Sequence, residues 1–186
     1  MKTRNIILSI LFVLSCDFAV AQFVSVKEMH QQRIQFANNS MYVLGSWALL
    51  NIGSGALLQK NANGASKYFH QGNAYWNLVN LGLAGFSLYA NSRVDVPPNA
   101  SVLFQNENQF QRILLFNAGL DLGYMATGWA LTERGRRFSG KKSDQFKGFG
   151  KSLIVQGAFL LIFDSTLYLL RNKENGKILE MIANGQ

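Results

Sequence analysis

The chain states one pattern twice, and any fold must accommodate both copies. Glu28, Gln32, Arg33, Ile34 and Asn38 recur in the same order and spacing as Glu107, Gln111, Arg112, Ile113 and Asn117, and each set runs into a long apolar stretch without Lys or Arg. Tyr42, Trp47, Ala48, Leu49 and Gly53 then match Tyr124, Trp129, Ala130, Leu131 and Gly135, and Ser87-Leu88-Tyr89 matches Thr166-Leu167-Tyr168. The first and last echoes are offset by 79 residues and the middle one by 82, which requires a three-residue insertion between Asn117 and Tyr124. Two copies of one helical hairpin account for this most economically.

Four windows without Lys, Arg or Glu carry the pattern: Ile34 to Gln59, Gln71 to Ser92, Ile113 to Thr132 and Ser152 to Leu170. Each is about as long as a helix needs to cross roughly 30 Å of hydrocarbon. The second is the most polar, through Asn73, Asn77 and Asn80, and a soluble exported bundle is the alternative. A hydrophobic content of 48% with 15% charged residues excludes a disordered chain. The expected fold is all-α: a four-transmembrane-helix bundle built from two tandem helical hairpins by internal duplication.

Lys2 and Arg4, the apolar run Ile6 to Leu14 and Ala19-Val20-Ala21 form an export signal ending at residue 21. The predicted organisation is a signal peptide over 1–21, the first hairpin repeat over 22–92, an outer loop over 93–102 and the second hairpin repeat over 103–186. Cys16, the only cysteine, leaves with the signal peptide unless Val13-Leu14-Ser15-Cys16 is a lipoprotein site and Cys16 is lipidated. Cleavage after residue 21 leaves no disulfide and no thiol ligand.

Export of the N-terminus sends the loops around Lys60/Lys67 and Glu133 to Lys151 inward. Of the sixteen Lys and Arg beyond the signal, nine lie in those two loops, seven of them between Arg134 and Lys151. The positive-inside rule gives the same orientation. The expected location is the bacterial cytoplasmic membrane, with both termini outside. The net charge of +8 is then a loop against anionic lipid, and nucleic acid is excluded as a partner.

Trp47, Trp76, Trp129, Tyr89 and Tyr168 fall near window ends and are read as interfacial anchors. Gly119, Gly123 and Thr127 form a small-residue stripe, expected to pack inside the bundle with a dimer seam as the alternative. Gly53, Gly55, Gly82 and Gly85 have the same expected use. Val96-Pro97-Pro98-Asn99 breaks any helix in the outer loop.

The polar interior holds the candidate site. Counting at about 1.5 Å per residue from each window centre, Asp121 lies roughly 2 Å and Asp164 roughly 5 Å to the outer side of the midplane. Intramembrane carboxyls turn inward, and no window contains Lys or Arg to pair with them. Asn77 and Asn80 on the second helix, Asn117 on the third and Gln156 on the fourth share the inward faces. These six residues are read either as hydrogen-bonding glue between helices or as a small-ligand, ion or proton site. No catalytic set is present: nothing supplies a nucleophile, an oxyanion hole or a metal cluster. His30 and His70 fall on opposite sides, are expected to be solvated, and bind neither haem nor metal. No cofactor is expected.

Just outside the outer leaflet, Glu28 and Arg33 in one copy and Glu107 and Arg112 in the other are expected to pair crosswise between the hairpins. The pseudo-twofold axis that relates the copies would run along the membrane normal.

The stretch Tyr68-Phe69-His70-Gln71-Gly72-Asn73-Ala74-Tyr75-Trp76-Asn77-Leu78-Val79-Asn80, with Gln32-Arg33 before the first window, resembles a family of small uncharacterised bacterial membrane proteins. The resemblance implies a four-helix integral membrane protein and brings no activity, cofactor or catalytic residue. Two functions stay open: a non-enzymatic accessory or scaffold protein, contacting a membrane-protein partner or a second copy through its outer helix extensions, and a small transporter or ion-binding protein centred on Asp121 and Asp164. Membrane lipid is a partner in both.

Overall fold

The computed structural model describes residues 25–185, so the predicted signal peptide and Cys16 lie outside the described residues. All regular structure in them is helical: α1 (Val26–Leu58), α2 (Gly64–Asn91), α3 (Ala100–Gly135), α4 (Gly140–Asn172) and α5 (Asn175–Ala183). Two stretches, α1 and Gly140–Ala183, are long and apolar enough to cross a membrane.

Local chemistry explains the boundaries. Ser25 and Glu28 close a reciprocal capping box, the Ser25 hydroxyl accepting from the Glu28 amide at 3.2 Å and the Glu28 carboxylate from the Ser25 amide at 2.9 Å. The Pro97-Pro98 pair lies in the connection between α2 and α3, and Asn99 caps α3 by accepting from the Val102 amide at 3.0 Å. α3 thus starts at Ala100, inside the predicted outer loop. The long inner loop predicted from Glu133 to Lys151 is a short turn instead. Gly140 takes a positive φ of 62°, which a glycine adopts without strain, and α4 restarts there, so Lys141 to Lys151 decorate its first turns.

α1 packs along α2 and α3 along α4, and the two pairs meet chiefly through α2 and α4. Backbones approach closely where glycines allow it. A Cβ built on Gly128 would lie 2.5 Å from the Gly150 carbonyl oxygen, and one on Gly150 would lie 2.5 Å from that of Gly128. The predicted internal stripe is a correction: a Cβ on Gly119 or Gly123 would meet nothing within 4 Å, as on Gly53, Gly82 and Gly85, whereas Gly55 packs against the His70 carbonyl. The stripe faces outward because α3 turns its other side, through Gly128 and Gly135, to α4.

α5 went unread in the sequence. Its Ile178 and Met181 pack on Met29, Ala100 and Leu103, a small apolar core that ties the N-terminal ends of α1 and α3 together. Elsewhere the polarity is inverted. Asn77, Gln156 and Glu107 are fully buried, whereas Leu50 is 71% and Phe86 69% exposed.

Candidate functional site

Three polar layers cross the bundle. The inner layer centres on Gln156 of α4. Its Oε1 accepts from Trp47 Nε1 at 3.1 Å, and its Nε2 donates to Asn73 Oδ1 at 3.1 Å and to Asn51 Oδ1 at 3.4 Å. Ser152 Oγ donates to the same Asn73 oxygen at 2.8 Å. Asn77 Nδ2 donates to the Asn73 carbonyl and Asn80 Nδ2 to Asn77 Oδ1. One glutamine therefore joins α1, α2 and α4, and its amide is satisfied at both ends. Trp47 also stacks on Phe159 with ring centroids 3.9 Å apart. Its predicted role as an interfacial anchor is corrected to that of an interior donor.

The outer layer is ionic. Glu107, with no exposed surface, accepts from Arg171 through both oxygens, at 2.9 and 2.8 Å, and from Gln111 at 3.2 Å. Arg33 lies 3.6 Å from the same carboxylate. Of the predicted crossed pairs the structure brings together Arg33 and Glu107. It does not bring together Glu28 and Arg112, which is a correction: Glu28 closes its own cap, and Arg112 Nε donates to the Asn108 carbonyl. Arg171, the missing partner, flanks the outer end of the fourth window, where a buried Glu107 needs a cation. His30 is a further correction. It is buried, and its Nδ1 has no hydrogen-bond partner. Burial, and then the neighbouring Arg33 charge, push its pKa below the ordinary value near 6.5, partly offset by a hydrogen bond with the Val94 backbone.

Between these layers lies a cavity of about 400 Å³, walled by α1, α2, α3 and α4. Asp121, Asp164, Asn80 and Asn117 line it, with Trp76, Ser87 and Tyr124; the rest of the wall is apolar, including Leu44, Leu83, Leu114, Leu160 and Phe163. Asp121 is 2% and Asp164 6% exposed. Two buried polar atoms in this wall have no hydrogen-bond partner: Asp121 Oδ2 and Trp76 Nε1. Trp76 is held edge-on to Tyr124, centroids 4.8 Å apart, so its reading as an anchor is corrected as well. Of the six candidate interior residues, four share this cavity, and Asn77 and Gln156 belong to the inner layer.

A buried donor and a buried acceptor left open beside two carboxyls are costly unless something occupies the space between them. The arrangement offers hydrogen bonding and two carboxyls in an apolar cavity that opens at the surface beside Val79, Leu83 and Ile113. Among the described residues no group of three or more His, Cys, Asp and Glu converges as a metal site.

No curated protein and no solved structure matches the chain. A family model does match, over residues 43–165, which hold most of the cavity wall and the whole inner layer. The chain belongs to the family of unknown function DUF6992.

Proposed function

We propose that this protein is a four-span integral membrane protein of the bacterial cytoplasmic membrane, without catalytic activity, that holds a small ligand in the cavity between its helices. Two tandem hairpins form the bundle, with Ser25 and α5 on the outer side and the cationic turns from Arg134 to Lys151 inside.

The membrane reading is supported by the inverted polarity. A water-soluble bundle buries leucines and exposes amides; here large apolar side chains such as Leu50, Phe86 and Ile162 point outward, and asparagine, glutamine and carboxyl groups point inward. Exposed apolar surface of this extent marks contact with lipid or another protein.

One observation carries the ligand reading over the scaffold reading: Asp121 and Trp76 line a common cavity, and Asp121 Oδ2 and Trp76 Nε1 are left without hydrogen-bond partners. Interhelical glue would saturate its hydrogen bonds, as the Gln156 layer does. A scaffold needs no such space.

Two measurements test this. The full chain should stay with the membrane pellet through alkaline carbonate washing; release into the supernatant sinks the membrane reading. Native mass spectrometry of the detergent-extracted protein should show a small adduct in the wild type that is lost in Leu114→Trp, which adds bulk at a buried position of the cavity wall. An adduct-free wild type sinks the ligand reading.

A further inference from the structure

We infer that the cavity takes an amphiphilic organic cation, an ammonium group with at least one N–H carried on an apolar body that bears a hydrogen-bond acceptor. The inference rests on reading the cavity as a ligand site and names the class of ligand.

Charge gives the first constraint. The wall contains Asp121 and Asp164 but no Lys, Arg or His. The nearest cation along α4, Arg171, lies one turn beyond the lining residue Leu167 and spends both arms of its guanidinium on Glu107. The outer layer thus has its own carboxylate, and the two in the cavity have no counter-ion from the chain. Carboxyls so enclosed find charge or hydrogen bonds wherever these are supplied.

Hydrogen bonding gives the second. Asp121 Oδ2 is an open acceptor and calls for an N–H, whereas Trp76 Nε1 is an open donor and calls for an oxygen. A quaternary ammonium satisfies neither group. A protonated amine with a hydroxyl, ether or carbonyl nearby satisfies both.

Shape and surface give the third. About 400 Å³ is within the range of small-molecule pockets. Leucine and phenylalanine make up much of the wall, and among the described residues its two carboxyls are not joined by a third His, Cys, Asp or Glu in a metal-binding group. Trp76, Tyr124, Phe110 and Phe163 offer aromatic faces, which attract an ammonium.

The test uses the full chain in lipid nanodiscs and equilibrium dialysis corrected against empty discs, with three probes of one shape: 4-phenylbutylammonium, 4-phenylbutanol and 5-phenylpentanoate. The ammonium should bind saturably and about tenfold or more tighter than the alcohol, as one charge-assisted hydrogen bond allows, and the carboxylate should not bind. Asp121→Asn with Asp164→Asn should erase the preference for charge, whereas Asp121→Glu should keep it and so serves if the double variant does not assemble. Leu114→Trp should abolish binding of both ammonium and alcohol. Equal binding of these two, both lost in Leu114→Trp, overturns the cationic class and leaves the ligand site standing. Binding of no probe, or binding untouched by Leu114→Trp, overturns the site itself.

Discussion

Ser152 donates its hydroxyl to the side-chain oxygen of Asn73 at 2.8 Å, across 79 residues of sequence. That separation equals the offset between Glu28 and Glu107 and between Arg33 and Arg112. A residue touches its own counterpart in a repeat only beside the axis that relates the copies. The contact between α2 and α4 is where such an axis belongs if the chain is two tandem hairpins, and the pairing of Asn73 with both Ser152 and Gln156 gives that contact its hydrogen bonds.

Removing the outer carboxylate should cost more than removing either of its partners. Glu107→Gln leaves Arg171 and Arg33 buried beside each other without an anion, a loss on the order of 3–5 kcal/mol for a broken buried pair. Arg33→Gln, which removes the longer 3.6 Å contact, should cost distinctly less. Thermal unfolding of the detergent-solubilised chain checks the order; equal losses would mean that Glu107 is not the hub of this layer.

At the inner layer, Gln156→Leu removes three side-chain hydrogen bonds and strands Trp47 Nε1 and Asn51 Oδ1. With roughly 0.6 kcal/mol per interhelical bond in a membrane, the stability lost should be about 2 kcal/mol. Chemical denaturation gives the value, and tryptophan emission should shift as Trp47 loses its partner. An unchanged midpoint would reduce the network to decoration.

Gly128→Ala should force α3 and α4 apart, because its Cβ meets backbone at 2.5 Å rather than a yielding side chain. Overpacking of this kind costs typically 1–3 kcal/mol. Gly119→Ala, with open space around it, should be neutral, or better by up to about 1 kcal/mol through helix propensity. Comparing the two melting points checks both; a damaging Gly119→Ala would reveal a contact with a second copy on that face.

Acidification should weaken the outer cap through His30. Its pKa in the folded protein lies below the unfolded value near 6.5, so the unfolded state takes up the proton first. Stability contributed by the neutral imidazole is present above that value and falls as pH drops from about 6.5 toward the folded pKa. His30→Gln should flatten this part of the stability profile. Identical profiles for the two proteins would exclude His30 as the cause.

Four of the five helices and their order were legible in the sequence. Apolar windows without Lys or Arg and the two prolines at Pro97-Pro98 act over a few neighbours, and their physics is local. The sequence also marked residues of the interior, Asn80, Asn117, Asp121 and Asp164, because polar side chains set in apolar windows need hydrogen-bonding partners. Partner choice was beyond it. Glu28 and Glu107 occupy matching places in the two copies, yet one closes a cap and the other binds Arg171, 64 residues away. The difference arises because Arg171, at the end of α4, reaches Glu107, whereas the residue 79 positions earlier is Ser92, which brings no cation to Glu28. Likewise the outward turn of Gly119 and the division of the polar residues between a saturated layer and an open cavity depend on how each helix is rotated against its neighbours, a choice made by packing across the whole bundle and written in no single stretch of chain.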